Sequence, residues 1–240
     1  MDNIKVNALM IRATDYGEND KILTLLSAEL GKITAGIKGV KKAGAKLKFA
    51  AQPFCFAEYI LAERGGRYTV TQASECESFY ELRCDVSKLY AASSVCEVAS
   101  ALSYDGDDAS HIFYAAVHAL GQMCVGDESM ELIRFLLFAL GKSGYKVGLD
   151  RCTECGAPLV EAEKMRFDMD TGSFTCWDCG NGFGTGGATY NVLRAADGKS
   201  HVKEMLSKEA KKRALKLLKE YIAYKTDARC ASLSEYIRLI

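Results

Sequence analysis

The first 80 residues carry short runs in which apolar side chains alternate with polar ones or end at turn-forming residues. Alternation with a period of two is typical of β-strands that bury one face. The pattern predicts five strands, over residues 3–13, 21–27, 33–40, 54–62 and 67–73. Gly65-Gly66 favours a hairpin turn between the last two strands, because glycine adopts positive φ at little cost. Five short strands predict a small closed barrel, with an OB-fold as the leading candidate.

From about Cys84 onward the apolar residues recur every three or four positions, which is the period of an α-helix. This pattern predicts helices over about 89–102, 109–125, 130–142 and 207–224, and a short helix that ends at Leu239. We therefore predict an α+β protein with two domains. An N-terminal five-stranded OB-fold barrel occupies residues 1–80, and an α-helical domain with an embedded four-Cys zinc module occupies residues 81–240.

Two CxxC pairs, Cys152-Thr-Glu-Cys155 and Cys176-Trp-Asp-Cys179, are separated by twenty residues. This spacing is typical of a zinc site, because each pair presents two thiolates at a tight turn and a hairpin can bring the pairs together. Four sulfur ligands leave no open position for water, so the predicted Zn²⁺ is structural and stabilises a module at about residues 150–182. The alternatives are two disulfides or four thiols without metal.

The other features of the chain favour an intracellular protein. The N-terminus lacks the apolar stretch with a basic flank that marks a secretory signal. The longest near-apolar run, Leu132 to Leu140, is interrupted by Arg134 and is shorter than the roughly 20 residues that span a bilayer. We expect a cytoplasmic, nucleoid-associated protein without a membrane partner, in which paired cysteines indicate metal more often than disulfide.

The 31 basic and 31 acidic residues balance, so only the distribution of charge is informative. Between Glu29 and Glu58 the chain has no acidic residue, and interleaved glycines predict a loop over residues 38–48. Flexible cations beside a barrel are suited to bind a phosphate backbone without reading bases. The predicted nucleic-acid-binding residues are the six lysines of this span: Lys32, Lys38, Lys41, Lys42, Lys46 and Lys48. The alternative is a solvated loop.

A second basic cluster lies between residues 199 and 219, and the sequence leaves open whether it contacts DNA or is the polar face of the last long helix. Its members are Lys199, Lys203, Lys208, Lys211, Lys212, Arg213, Lys216 and Lys219.

No residue pattern indicates catalysis. His111, His118 and His201 have no matching carboxylate or cysteine pattern, and the acidic cluster at 105–108 lacks the alternating ligands of a calcium loop. We therefore predict that the protein is not an enzyme and has no catalytic residues.

Residues 8–42 contain a Tyr16-Gly17-Glu18 turn and Gly31-Lys32 before a basic loop, and residues 131–145 read ELIRFLLFALGKSGY. These segments resemble the bacterial recombination mediator family RecO. Gln52-Pro53-Phe54 and residues 217–237 fit as well, so the resemblance extends over essentially the whole chain.

This resemblance implies a DNA repair and recombination mediator that binds single- and double-stranded DNA and anneals complementary strands. It would help to load recombinase onto DNA coated by single-strand binding protein, with RecR as a partner. The family's DNA-binding loop maps onto Lys38, Lys41, Lys42 and Lys46. Some members lack the four cysteines, which agrees with a structural rather than a working metal.

The resemblance also implies that the helical domain captures the acidic C-terminal tail of single-strand binding protein, which ends in phenylalanine. An apolar helix face formed by Leu132, Phe135, Leu136 and Ala139 would form the groove, and Arg134 and Lys142 would contact the carboxylate. The alternative is that Leu132, Phe135 and Leu136 are ordinary core residues, so the prediction rests on the two cations, chiefly Arg134. Two other classes of function remain open. One is a zinc-ribbon OB-fold transcription or RNA-binding factor, and the other is a nuclease-like enzyme, against which the lack of an acidic metal cluster argues.

Overall fold

The structure is a computed structural model that describes residues 3–104, 108–159, 163–180, 182–199 and 206–240. The chain divides into two compact units, Met1–Gly126 and Asp127–Ile240. None of the helices in the described part of the chain combines the length and the apolarity that crossing a bilayer requires.

Five strands form a closed barrel in the first unit, which confirms the predicted OB-fold. They are β1 (Asn3–Tyr16), β2 (Asp20–Ser27), β3 (Gly31–Ile37), β4 (Phe56–Arg64) and β5 (Arg67–Glu77). The order around the barrel is β1-β2-β3-β5-β4, and β1 pairs with β4 to close the ring. The pairing of β3 with β5 is parallel and all others are antiparallel, which gives a Greek-key barrel of the OB type.

The barrel core follows directly from the alternation in the sequence. Val6, Ala8 and Met10 of β1 point inward with Leu23 and Leu25 of β2, and all five are buried. Their neighbours on each strand face outward, because successive side chains of a strand point to opposite faces. Some of these outward-facing residues, such as Leu9 and Leu26, are also buried, whereas others, such as Arg12 and Ile22, are exposed on the outside of the barrel.

Three helices complete the first unit: α1 (Glu81–Cys84), α2 (Val86–Ala101) and α3 (Ser110–Val125). Asp85 caps α2, since its carboxylate accepts a hydrogen bond from the Lys88 backbone N–H at 2.9 Å. Phe113 of α3 meets Phe56 of β4 edge to face, with ring centroids 5.8 Å apart. The barrel and these helices thus form one compact unit, and the division into domains at residue 80 stays a prediction.

The second unit contains α4 (Glu128–Lys142), a three-stranded sheet and three further helices. The strands β6 (Lys164–Asp168), β7 (Ser173–Cys176) and β8 (Phe183–Gly186) are arranged in the order β7-β6-β8. The helices α5 (Gly187–Ala196), α6 (Lys208–Thr226) and α7 (Ala231–Leu239) follow. The predictions of the α4, α6 and α7 helices agree with the structure, whereas β8 and α5 were missed within and after a glycine-rich stretch.

Four buried aromatic rings connect the sheet to the helices of the second unit. Phe167 of β6 meets Phe174 of β7 at 5.0 Å and Tyr221 of α6 at 5.4 Å. Phe174 in turn meets Tyr190 of α5 at 5.1 Å. All three pairs are edge to face, the arrangement that aromatic quadrupoles favour. These rings give the small sheet an apolar support on one face only.

Candidate metal centre and nucleic-acid interface

The structure brings the four predicted metal ligands together, with the Sγ atoms of Cys152, Cys155, Cys176 and Cys179 all within 4.8 Å of one another. The Sγ atoms of Cys155 and Cys176 are 3.7 Å apart. A tetrahedron with metal–sulfur bonds of about 2.3 Å has edges of about 3.8 Å, so this spacing fits a metal. All four are free thiols, which does not agree with the alternative of two disulfides.

Each pair of cysteines lies on a tight turn that ends in glycine. The Gly156 backbone N–H donates to the Cys152 carbonyl oxygen at 2.9 Å, and Gly156 has a φ of +71°. The Gly180 N–H donates to the Cys176 carbonyl oxygen at 3.3 Å, and a Cβ at Gly180 would lie 1.9 Å from Oγ1 of Thr175. Both turns therefore need glycine, the first for its backbone conformation and the second for space.

The four clustered thiols affect one another's ionisation. Burial raises the pKa of the Cys152 thiol, but backbone N–H groups of Cys155, Cys176 and Glu154 outweigh this effect and lower that pKa to about 6. The hydrogen bond with Cys155 raises the pKa of Cys176 to about 12 and that of Cys179 to about 11. One thiolate forms readily while its neighbours resist ionisation, and a soft divalent cation would allow all four to ionise.

The predicted basic loop, residues 38–48, is a succession of tight turns, here termed the basic segment. Backbone hydrogen bonds link Lys42 to Gly39 at 3.1 Å, Ala45 to Lys42 at 3.1 Å and Lys48 to Ala45 at 3.3 Å. The Gly39 N–H donates to the Asp20 carboxylate at 2.7 Å, which anchors the start of the segment to β2. The basic segment thus holds its exposed lysines on a defined backbone.

The six predicted lysines are not equivalent. Lys32 on β3 is half-buried and its Nζ donates to the Ser100 carbonyl oxygen at 3.1 Å. Nζ of Lys41 forms an ion pair with Asp15 at 2.8 Å, and this hydrogen bond lowers the pKa of the Asp15 carboxyl. The remaining four are exposed and make no ion pair with any residue that the structure describes: Lys38, Lys42, Lys46 and Lys48.

An exposed surface that sequence reasoning missed lies on the outside of β1, β2 and β3, here termed the outer barrel face. Thr14, Ile22 and Gly36 form one cross-strand row, and Arg12, Thr24 and Thr34 form the next. Ile22 is 38% exposed although it is aliphatic. OB-folds bind oligonucleotides on this face and on the loops beside it.

Loops at the edges of the barrel add two further features. Tyr16, at the end of β1, is 63% exposed. Arg64 and Arg67 are exposed and face each other across the Gly65-Gly66 turn, whose φ values are +59° and +74°. In the sequence, the motifs Tyr-Gly-Glu and Arg-Gly-Gly-Arg could have pointed to these exposed residues, because both mark turns. The alternation of apolar and polar residues could not, since it does not distinguish an exposed aromatic side chain from a buried one.

The second basic cluster is partly paired within the second unit, since three of its members make ion pairs there. Lys199 pairs with Asp150 at 2.8 Å and with Asp197 at 3.0 Å, and Lys211 pairs with Asp127 at 2.5 Å. Nζ of Lys212 donates to the Ile240 carbonyl oxygen. Further partners are Thr189 for Arg213 and Glu220 for Lys219, whereas Lys203 lies outside the described residues.

The apolar groove that we predicted on α4 is not exposed in the structure. Leu132, Phe135, Leu136 and Ala139 are at most 3% exposed, so they belong to the core and do not line a groove. Arg134 is half-exposed and pairs with Glu131. Lys142 places Nζ 5.5 Å from the ring centre of Phe138, which is 42% exposed. Arg134, Phe138 and Lys142 thus follow one another at intervals of four along the exposed face of α4.

The remaining residues considered for chemistry do not assemble into a site. His111 and His118 are exposed on α3, and Asp108 accepts a hydrogen bond from the Ser110 N–H at 2.9 Å. His201, Asp105 and Asp107 lie outside the described residues. Among the residues that are described, the four cysteines are the one group with a metal-binding arrangement.

Comparison with known families supports the resemblance found in the sequence. Residues 1–79 match the family "Recombination protein O N terminal", and residues 83–234 match "Recombination protein O C terminal". The chain belongs to the RecO family. The first RecO match contains the entire barrel and the basic segment, and the second contains the four-cysteine cluster.

Relatives named "DNA repair protein RecO" extend over much of the chain. The protein of Anaeromyxobacter sp. (strain K) is 30% identical over 242 residues, which cover 97% of this chain and 95% of that protein. The protein of Desulforamulus reducens is 33% identical over 175 residues, 73% of this chain and 68% of that protein. The protein of Heliobacterium modesticaldum is 37% identical over 161 residues, 66% of this chain and 58% of that protein.

Proposed function

We propose that this RecO-family chain is a DNA repair and recombination mediator. It binds single- and double-stranded DNA, anneals complementary strands and helps to load recombinase onto DNA coated by single-strand binding protein. The observation that carries the proposal is the basic segment, whose four exposed lysines have no ion-pair partner among the described residues and lie on an OB-fold barrel. We propose a cytoplasmic, nucleoid-associated protein that acts without covalent chemistry.

The proposed mechanism is charge neutralisation on an ordered backbone. Lysines of the basic segment bind phosphates, displace counterions and lower the repulsion between two strands. The outer barrel face can receive bases, since Tyr16 offers an exposed ring and Ile22 an exposed apolar side chain. Contacts to phosphates carry no sequence information, so any complementary pair of strands can anneal.

We propose that the four-cysteine cluster holds one structural Zn²⁺. Cys152, Cys155, Cys176 and Cys179 would be the ligands, and the ion would supply a covalent-like cross-link between the two glycine-ended turns. A shell of four sulfurs leaves no position for a substrate or for water. The residues of this module therefore contribute stability and surface shape, and no proton or group is transferred there.

We propose RecR and single-strand binding protein as protein partners. Two surfaces of the second unit are candidate binding sites for the C-terminal tail of single-strand binding protein. The first is the exposed row of Arg134, Phe138 and Lys142 on α4. Because the apolar face predicted from the sequence is buried, the exposed ring of Phe138 would be the contact for the terminal phenylalanine of the tail. To bind the carboxylate of the tail, Arg134 would have to break its ion pair with Glu131.

A groove of about 620 Å³ between β8 and α6 is the second candidate. Its apolar wall includes Phe183, which is 62% exposed, and Tyr224, which is 55% exposed. Arg213 and Lys216 line the groove as cations, and Glu220 is the acid among its lining residues. An apolar groove with cations at its rim is suited to a peptide that ends in an aromatic ring and a free carboxylate.

A strand-annealing assay with purified protein tests the proposed function. We expect the protein to accelerate the pairing of complementary oligonucleotides, and Lys42→Glu/Lys46→Glu to lose most of this acceleration. The comparison variant is Lys208→Glu/Lys216→Glu, which reverses two exposed lysines of the second basic cluster that make no ion pair with described residues. An equal loss in this variant would contradict the assignment of annealing to the basic segment. Equal affinity for RNA without any annealing would favour the alternative, a zinc-ribbon OB-fold transcription or RNA-binding factor.

A further inference from the structure

The one tryptophan of the chain, Trp177, lies between two of the four clustered cysteines, Cys176 and Cys179. Its side chain is 41% exposed, whereas Phe167 and Phe174 of the adjacent strands are fully buried. The core of this module is therefore formed by other rings, and Trp177 is not needed to fill it. A large exposed ring in such a constrained turn requires another explanation.

The indole ring is held on the solvent-facing side of the small sheet. The guanidinium carbon of Arg166 is 4.3 Å from the ring centre. That guanidinium is itself fixed, because Nε donates to the Trp177 carbonyl oxygen at 2.9 Å and Nη1 donates to the Gly182 carbonyl oxygen at 3.3 Å. The ring is thus supported by a cation that has little freedom to move.

Glycine in β8 allows the ring to lie close to the sheet. Gly184 is the cross-strand partner of Arg166, and a Cβ at Gly184 would lie 3.1 Å from Cζ3 of Trp177. This distance is tighter than ordinary van der Waals contact, so a side chain at Gly184 would lift or tilt the indole. Arg166 and Gly184 together fix the plane of the ring without covering all of it.

We propose that Trp177, with Arg166 beside it and Lys164 nearby, is a stacking site for an unpaired base of single-stranded nucleic acid. Exposed rings combined with cations are the composition of sites that bind single strands without sequence preference. Lys164 is exposed and its Nζ is 5.8 Å from the ring centre, a position from which it can contact a phosphate. The inference rests on the proposed function, since it adds a contact on the zinc module to the basic segment of the barrel.

The energy of this contact comes from stacking rather than from net charge. Glu163 and Asp178 are exposed carboxylates adjacent in sequence to Lys164 and Trp177, so this part of the chain has as many acids as cations. Single strands have unstacked bases to offer, whereas duplex DNA holds its bases inside the stack. The site therefore discriminates by strandedness, and the affinity that comes from stacking on Trp177 does not depend strongly on salt, unlike a phosphate contact of Lys164.

The first test uses the intrinsic fluorescence of the full-length protein, because all tryptophan emission comes from Trp177. Titration with a mixed-sequence single-stranded oligonucleotide is expected to quench this emission in a saturable manner, and a duplex of equal length is expected to quench it far less. Unchanged emission at a single-strand concentration that saturates binding by anisotropy overturns the inference. In that case DNA binding, and with it the proposed function, would still stand.

The second test compares Trp177→Leu with Trp177→Phe in single-strand binding. Loss of one stacked base lowers affinity by about 5- to 150-fold, so this loss is expected for the leucine variant, while phenylalanine keeps most of the affinity. The slope of log affinity against log salt should be the same in both variants and in the wild type. Metal content and thermal unfolding serve as controls for the fold. Wild-type affinity in Trp177→Leu, or an equal loss in Trp177→Phe, overturns the inference.

Discussion

Nζ of Lys41 lies 2.8 Å from a carboxylate oxygen of Asp15, across the barrel strands that precede the basic segment. Asp15 also lies 3.6 Å from Nζ of Lys21, so one acid is shared by two lysines. Lys42, the next residue along the chain, makes no ion pair with any described residue. Of these two adjacent lysines, Lys41 is thus held in an ion pair, whereas Lys42 can contact a phosphate without first breaking one.

This difference predicts unequal effects on DNA binding. Lys42→Ala should flatten the slope of log affinity against log salt by about 0.9 on duplex DNA, the value for one lost phosphate contact. Lys41→Ala should change the slope less, because Lys41 must leave Asp15 before it can bind a phosphate. Fluorescence anisotropy of a labelled duplex over a series of salt concentrations measures both slopes, and Asp15→Asn should steepen the slope by releasing Lys41. Equal slopes for the two alanine variants would contradict this prediction.

Charge reversal at both positions should weaken binding further. Lys41→Glu/Lys42→Glu is expected to lower affinity for single strands and duplex more than the corresponding double alanine variant, since the new carboxylates repel phosphate. The fold should not change, because both side chains are exposed. Circular dichroism checks the fold. Wild-type affinity in the double glutamate variant would mean that the basic segment is only a solvated loop.

A buried hydrogen bond ties the chain just after the basic segment to the barrel strand β4. The Tyr59 hydroxyl donates to the Ala50 carbonyl oxygen at 3.0 Å inside the core, and burial raises the pKa of Tyr59, so the donor stays protonated. Tyr59→Phe leaves that carbonyl unpaired and should lower the free energy of unfolding by about 1–3 kcal/mol. Urea denaturation measures the change. Tyr16→Phe is the control, since Tyr16 is 63% exposed and should show no shift in midpoint.

Metal removal should affect stability rather than abolish a reaction. One zinc ion per chain is expected by elemental analysis, and Cys152→Ser should lose most of it. Binding of the metal is coupled to folding of the module, so a strong chelator should lower its unfolding temperature. Cys76→Ser is the matched control, because Cys76 is an exposed thiol outside the cluster. A chain without stoichiometric zinc, or a Cys152→Ser variant with full metal content, would falsify the assignment.

Binding of the tail peptide distinguishes the two candidate surfaces of the second unit. If the row on α4 is the site, Arg134→Ala, Phe138→Ala and Lys142→Ala should each weaken binding of a tail peptide by anisotropy. Higher salt should weaken binding too, because the peptide is acidic. Lys216→Ala in the groove beside α6 is the internal comparison. Unchanged affinity in both Arg134→Ala and Lys142→Ala, with a loss in Lys216→Ala, would transfer the site to that groove.

The sequence by itself determined the elements whose signal is local. Alternation with a period of two and a Gly-Gly turn predicted the barrel strands, and a helical period predicted α2, α3, α4 and α6. The cluster of four cysteines also followed from the sequence, because CxxC spacing reports the geometry of a tight turn. Strand β8 escaped prediction, since Phe183–Gly186 is rich in glycine and becomes a strand by pairing with β6.

The tertiary structure alone decided which side chains are available for function. Lys41 pairs with a residue 26 positions away and Lys32 contacts a carbonyl 68 positions away, so no local pattern could separate them from Lys42. Likewise, the exposure of Trp177 and its contact with Arg166 depend on the packing of three strands. The type of a residue determines which interactions it can make. Folding determines which distant residues lie beside it, and therefore whether its charge is paired or exposed to a ligand.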